Sequence, residues 1–361
     1  LRSEEDAIKL NKHKKALKIL HKGTVIPAIP LSLDENRKYD EAGQRLLTRY
    51  YLEAGSGGIA IAVHTTQFEI RNPEYNLFET VVKTVADEIE KYEIETGKNI
   101  VKVCGICGEK EQAVREAKFV RSLDFDAGLL SPGGLKHLSE EQMLERTQAV
   151  AKVLPVIGFY LQTAVGGHKF AYDFWRKFCT IKNVVAIKIA PFNRYMTLDV
   201  VRAAALSSRA NEIALYTGND DNIVNDLMTE YVFNEGGETY RKKIVGGLLG
   251  HWSVWTNSAV KLFDKIRAAK KPTAELMTLA AQVTDMNAAV FDTANGFHGC
   301  ISGIHEILRR QGLMRGIWCL NPTETLSPGQ AEELSRVSAA YPHLTDDGFA
   351  NDFLLKNSII G

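Results

Sequence analysis

The chain of 361 residues has little of what would mark a membrane, secreted or nucleic-acid-binding protein. No apolar run reaches the length that spans a bilayer, and the charged stretch 1–22 contains no signal-peptide core. Lys plus Arg and Asp plus Glu both total 44, so the formal net charge is zero. That balance provides no electrostatic footprint for nucleic acid or an anionic membrane. Cysteine is scarce: five residues, too scattered for a disulfide framework. Cys104 and Cys107 form a CxxC, but they fall in an apolar stretch that reads as a strand. Residues three apart on a regular strand point to opposite faces, and no second CxxC completes a zinc site. The expectation is a cytosolic enzyme with no metal, no membrane association and no nucleic-acid partner.

What is present is hydrophobic residues, 45% of the chain, arranged as short apolar runs alternating with longer amphipathic stretches. The runs lie at 24–30, 58–63, 100–106, 127–130, 156–161, 184–189, 213–216 and 244–249. Helical periodicity occupies 40–54, 77–95, 109–123, 139–153, 171–179, 197–207 and 221–233. Ser139-Glu-Glu-Gln142 reads as a capping box, and Gly55 and Gly97 suit helix C-termini. Eight strand–helix repeats predict a (β/α)8 TIM barrel. An open doubly wound sheet fits less well, because no G-x-G-x-x-G follows the first run. An amphipathic N-terminal helix precedes the barrel (Ala7, Ile8, Leu10, Ala16, Leu17 and Leu20 make its stripe). Helical periodicity at 257–270, 273–291, 298–311 and 327–340 predicts a C-terminal helical extension. The expected divisions are 1–22, 23–270 and 271–361.

In such barrels the reacting groups sit at the C-terminal ends of the strands. The sixth strand, Val184-Val-Ala-Ile-Lys-Ile-Ala-Pro191, is apolar except for Lys188. Ala186 and Ala190 share its face and leave room for a long side chain. Burial lowers a lysine's pKa, and the neutral amine is the nucleophile that forms a Schiff base. The bland alternative is a lysine paired with a buried carboxylate or snorkelling at the strand end. On the fifth strand, Tyr160 lies near the C-terminal end, where a phenol can relay protons; equally, it can be a core aromatic. After the second strand, Thr65 and Thr66 offer donors for a carboxylate. His64 and His251 lie near strand ends, where they can contact substrate or serve as structural groups. Asp220 and Asp221 suit helix caps as well as chemistry. Gly246–Gly250 suits close packing better than a phosphate cradle. A metal-dependent hydrolase fits poorly, since the first strand has no His-x-His.

Lys188, Tyr160 and Thr65-Thr66 together resemble the dihydrodipicolinate synthase and N-acetylneuraminate lyase family. Tyr160 and Lys188 are 28 residues apart, the separation typical of that family. Tyr216-Thr-Gly-Asn-Asp220 looks like its Ser-Gly-Asp-Asp segment, which implies Gly218 beside the substrate. Gly246-Gly-Leu-Leu-Gly250 is similar to its eighth-strand segment, which implies Leu249 on the substrate's apolar side. The resemblance implies that Lys188 attacks the keto carbon of pyruvate or another 2-keto acid. Thr65 and Thr66 would then hold the carboxylate while Tyr160 shuttles protons. It implies a lyase of the class I aldolase type that needs no cofactor and works as a homo-oligomer, a dimer or tetramer.

The departures narrow this. His64, Gln67 and Phe68 replace the glycines and glutamate of the threonine motif. Leu161-Gln-Thr follows Tyr160 in place of Asn-x-Pro, with no arginine after it. Ser131-Pro-Gly-Gly stands where the synthase has a tyrosine that crosses a subunit interface. The Schiff-base core is retained, and the second-substrate apparatus is not. The same lysine would serve a 2-keto-3-deoxy sugar-acid dehydratase or hydratase-aldolase. A different class, a non-catalytic keto-acid-binding relative, stays open, since fold does not determine function.

Overall fold

The computed structural model describes residues 4–358. In chain order its elements begin with α1 (Glu4–Lys22), β1 (Val25–Pro27), α2 (Glu41–Glu53), β2 (Gly58–Ile61), α3 (Phe78–Thr96) and β3 (Val101–Ile106). They continue with α4 (Lys110–Ser122), β4 (Ala127–Leu130), α5 (Glu140–Ala151), β5 (Val156–Leu161), α6 (Tyr172–Thr180) and β6 (Val184–Ala190). Next come α7 (Arg194–Ala205), β7 (Ala214–Thr217), α8 (Ile223–Met228), β8 (Glu230–Glu235) and β9 (Glu238–Leu249). The chain closes with α9 (Thr256–Ala268), α10 (Ala274–Val290), α11 (Cys300–Arg310), α12 (Gln330–Ala340) and α13 (Asp347–Ser358). The alternation is that of a (β/α)8 barrel with a C-terminal helical extension. Among the described residues, no helix is long and apolar enough to cross a membrane.

Two compact units make up the chain. The first holds the residues up to Thr24 together with Val101–Leu248. Its strands β3, β4, β5, β6, β7 and β9 pair side by side, all parallel. Every residue of β3 to β7 is buried. Such strands cannot show two-fold alternation, which is why they read as continuous apolar runs. Helix α1 buries Ala16 and Leu20, while Leu10 stays exposed; the side chains of Ala7 and Ile8 lie outside the described residues.

The second unit holds Val25–Ile100 and the residues from Leu249 onward. Here β1 and β2 run parallel through an Ala28–Ala60 bridge. Helix α2 packs against α3, and α10 packs against α11 and α12.

Local signals held where a side chain closes its own backbone. Ser139 accepts from Gln142 N while Gln142 caps Ser139 in return. Gly97 ends α3 in the left-handed region at φ 69°. The helix expected over 221–233 is a correction: α8 stops at Met228, and the chain continues as β8, antiparallel to β9. The cause is legible afterwards. Tyr231, Val232 and Phe233 favour a strand, and Gly236-Gly237 at φ 62° and 84° make the two-residue turn between Glu235 and Glu238.

Candidate active site

Lys188 is the fifth of seven residues in β6 and is 8% exposed. Parallel pairing sets Phe159 of β5 beside it on one side and Tyr216 of β7 on the other. Its Nζ stands 4.4 Å from the centre of the Phe159 ring, close enough for a cation–π contact. Room for the lysine stem comes from Gly218. A Cβ at that position would lie 2.6 Å from Lys188 Cε and 2.7 Å from Ala190 Cβ. Burial pulls the Lys188 amine down to about 8, and the Asp220 carboxylate opposes that fall. The amine is therefore far closer to the neutral, nucleophilic form at physiological pH than a surface lysine. Of the residues singled out in the sequence, Lys188 and Gly218 are brought together here.

Tyr160 is not brought to them. It pairs with Ile189, and its hydroxyl donates to the Phe170 carbonyl at 3.3 Å. Its ring lies 5.0 Å from that of Trp175 on α6 and 5.8 Å from Phe170. Gly158, two residues earlier on the same face, abuts Phe178 of α6. Tyr160 is thus a core aromatic on the helix side of the strand, and burial pushes its phenol up to about 12. The proton-shuttle role expected of it is corrected.

The reason is one extra residue. Val156 pairs with Val184, but Ile157 pairs with Ala186, so Val185 is bulged out. Had the first register continued, Tyr160 would lie opposite Lys188. A one-residue slip exchanges the faces, and Phe159 takes that place.

The remaining residues belong to the second unit. Thr65 Oγ1 donates to the Ala28 carbonyl at 2.6 Å, and Thr66 Oγ1 donates to the Ile29 carbonyl at 2.8 Å. These hydroxyl protons are spent fastening the turn at His64–Thr66 to the chain after β1, so the pair does not present them to a carboxylate. His64 is half-buried, with its ring 6.0 Å from that of Phe68. His251 is buried beside Trp255, and burial draws its imidazole down to about 4, partly offset by a hydrogen bond with Asn287. It is neutral near pH 7. Leu249 is fully buried, and its carbonyl accepts from Ala28 N at 3.4 Å.

In the sequence Asp220 suits a helix cap as well as chemistry. In the structure α8 is headed by Asn222, and Asp220 is buried with its charge felt at Lys188. Phe159 gave no sequence signal beyond being apolar. Gly246 is explained by packing: a Cβ there would lie 2.6 Å from the Thr24 carbonyl oxygen and 2.7 Å from the Tyr216 ring. Cys104 is buried and Cys107 half-buried, both as free thiols. Among the described residues, no group of three or more His, Cys, Asp and Glu is placed to hold a metal.

No protein-family model and no curated protein matches the sequence. Solved structures do match in fold. Dihydrodipicolinate synthase from Oceanobacillus iheyensis superposes with a TM-score of 0.71 at 15% identity, over 91% of this chain and 99% of that one. The dihydrodipicolinate synthase of Acinetobacter baumannii, solved as a complex with pyruvate, gives 0.71 at 18% identity over 88% and 98%. N-acetylneuraminate lyase from Fusobacterium nucleatum gives 0.68 at 14% identity over 89% and 99%. Across nearly its whole length, the chain has the (β/α)8 fold with C-terminal helices that these enzymes share.

Proposed function

We propose that this chain is a Schiff-base-forming lyase in which the Lys188 amine attacks the keto carbon of pyruvate or another 2-keto acid. The observation that carries the reading is the burial of Lys188 in a space cleared by Gly218 and Ala190, with its pKa drawn down to about 8. A lysine so placed is costly to keep as an ammonium and well suited to nucleophilic attack. The shared fold supports the same chemistry, since one similar structure is a lyase and another is a synthase solved with pyruvate.

The iminium would draw electrons from the adjacent carbon, so that a C–C bond there can be made or broken without a cofactor. The departures around Tyr160 argue against the synthase's own substrate pair. A 2-keto-3-deoxy acid that releases pyruvate is the better candidate.

The test is reductive trapping. Pyruvate plus borohydride should leave one adduct on Lys188, located by peptide mass, and Lys188→Met should abolish it. An unmodified Lys188 in the wild-type protein would sink the proposal. The turned-away Tyr160 favours one second reading, a keto-acid-binding protein without turnover. An adduct with no pyruvate release from any 2-keto-3-deoxy acid would support that alternative.

A further inference from the structure

We propose that a small cavity lined by α5 and α6 is a binding site for a halide ion, held by Arg146 and Trp175; this is independent of the Schiff-base reading above. The cavity measures ≈ 20 Å³, and every residue that lines it is buried. One water-sized particle needs about 10–15 Å³, so there is room for one, and none for a polyatomic anion such as phosphate.

Two side chains of the lining carry donors without an acceptor. Arg146 of α5 is 2% exposed. Its Nε donates to the Gly108 carbonyl at 2.7 Å, which anchors the guanidinium, while its Nη2 has no hydrogen-bond partner. Among the described residues no carboxylate forms an ion pair with it. Glu116, whose charge reaches it, accepts instead from Gln112 Nε2 at 2.9 Å and from Cys107 N at 3.0 Å. Trp175 of α6 is 1% exposed, and its Nε1 is likewise without a partner. A buried indole N–H ordinarily finds one. The ring cannot easily turn to seek it, because Phe170, Phe174 and Phe178 meet it at 80°, 83° and 67°.

The lining favours an anion over water. Its other polar side chain is Thr147, whose hydroxyl donates to the Met143 carbonyl at 2.8 Å within α5. The remaining side chains are aromatic or aliphatic, apart from the Met143 thioether. A water would bring two donors of its own to a lining poor in acceptors, and would leave the guanidinium charge uncompensated. A halide only accepts. Its charge also offsets the cost of burying an unpaired cation.

The experiment uses the full-length protein and bromide as the probe. Crystals soaked in sodium bromide should show an anomalous peak in contact with Arg146 Nη2 and Trp175 Nε1. In solution the thermal midpoint in sodium chloride should exceed that in sodium gluconate of equal ionic strength by ~2 °C, as ligand linkage requires. Arg146→Met should erase that difference. Trp175→Phe, which keeps a ring and removes the donor, should shrink it and stands in if the methionine variant does not fold. Density at the site without anomalous signal, which is a water, overturns the proposal. So does an anomalous peak with no chloride dependence of the midpoint, which is an adventitious ion only. A chloride effect that the folded variants retain in full overturns it as well. Borohydride trapping at Lys188 is untouched by any of these outcomes.

Discussion

The two faces of the β5–β6 pair contrast sharply. One face carries Lys188 between Ala186 and Ala190 on β6, with Gly218 close to its stem and Phe159 paired beside it on β5. The other carries Tyr160 against Trp175 and abuts Phe178, two of the aromatics of α6, which also brings Phe174. On β6 the first face flanks the amine with alanines, and Gly218 leaves space beside its stem. The second fills its space with rings and fastens its hydroxyl to a backbone carbonyl. A buried amine and an aromatic cluster are thus segregated across a single strand pair, and one bulged residue, Val185, decides on which side Tyr160 lies.

Substitutions on each face should separate these roles. Trp175→Ala removes the centre of the aromatic cluster and should cost ~3–5 kcal/mol of stability by denaturant titration. Its trapping rate with pyruvate should stay near wild type while the protein is folded; a selective loss of trapping would show that the faces are coupled. Gly218→Ala adds a methyl 2.6 Å from Lys188 Cε. Overpacking of that kind costs ~1–3 kcal/mol, and here it should also displace the amine and slow trapping well beyond its effect on stability.

Trapping should also depend on pH in a way that a surface lysine does not. Below about 8, the neutral fraction of Lys188 rises tenfold per pH unit, then levels, whereas an ordinary lysine keeps gaining to 10.5. Because the folded value is the lower one, the native state binds fewer protons between these limits, and the Lys188 contribution to stability rises with pH across that window. A rate still climbing above pH 9, measured at constant ionic strength, would contradict the buried amine. The smallest effect is expected from Tyr160→Phe. It loses one hydrogen bond, worth ~0.5–1.5 kcal/mol, and should leave trapping unchanged.

Much of this is legible in the sequence, for reasons local to the chain. The β/α alternation shows in apolar runs and helical periodicity because burial of each element selects its own side chains. The capping box at Ser139 closes within four residues. Lys188 stood out as the one charge in an apolar strand, with alanines two residues to either side. The arm formed by β8 and β9 is hidden in the sequence because its strand residues follow directly on a short helix whose periodicity runs on into them.

The lone buried lysine and the eightfold repeat were thus determined by the sequence itself, since each is a property of a single segment. What only the tertiary structure decided was which neighbours that lysine meets. The 28-residue spacing of Tyr160 and Lys188 is the same as that of Val156 and Val184, yet only the latter two pair. Register belongs to two strands jointly, and a bulge that one strand absorbs reverses the face of every residue beyond it. That reversal turned Tyr160 to the helices. The anchoring of Thr217 and Asn219 to Asp226 of α8 is equally invisible in one segment.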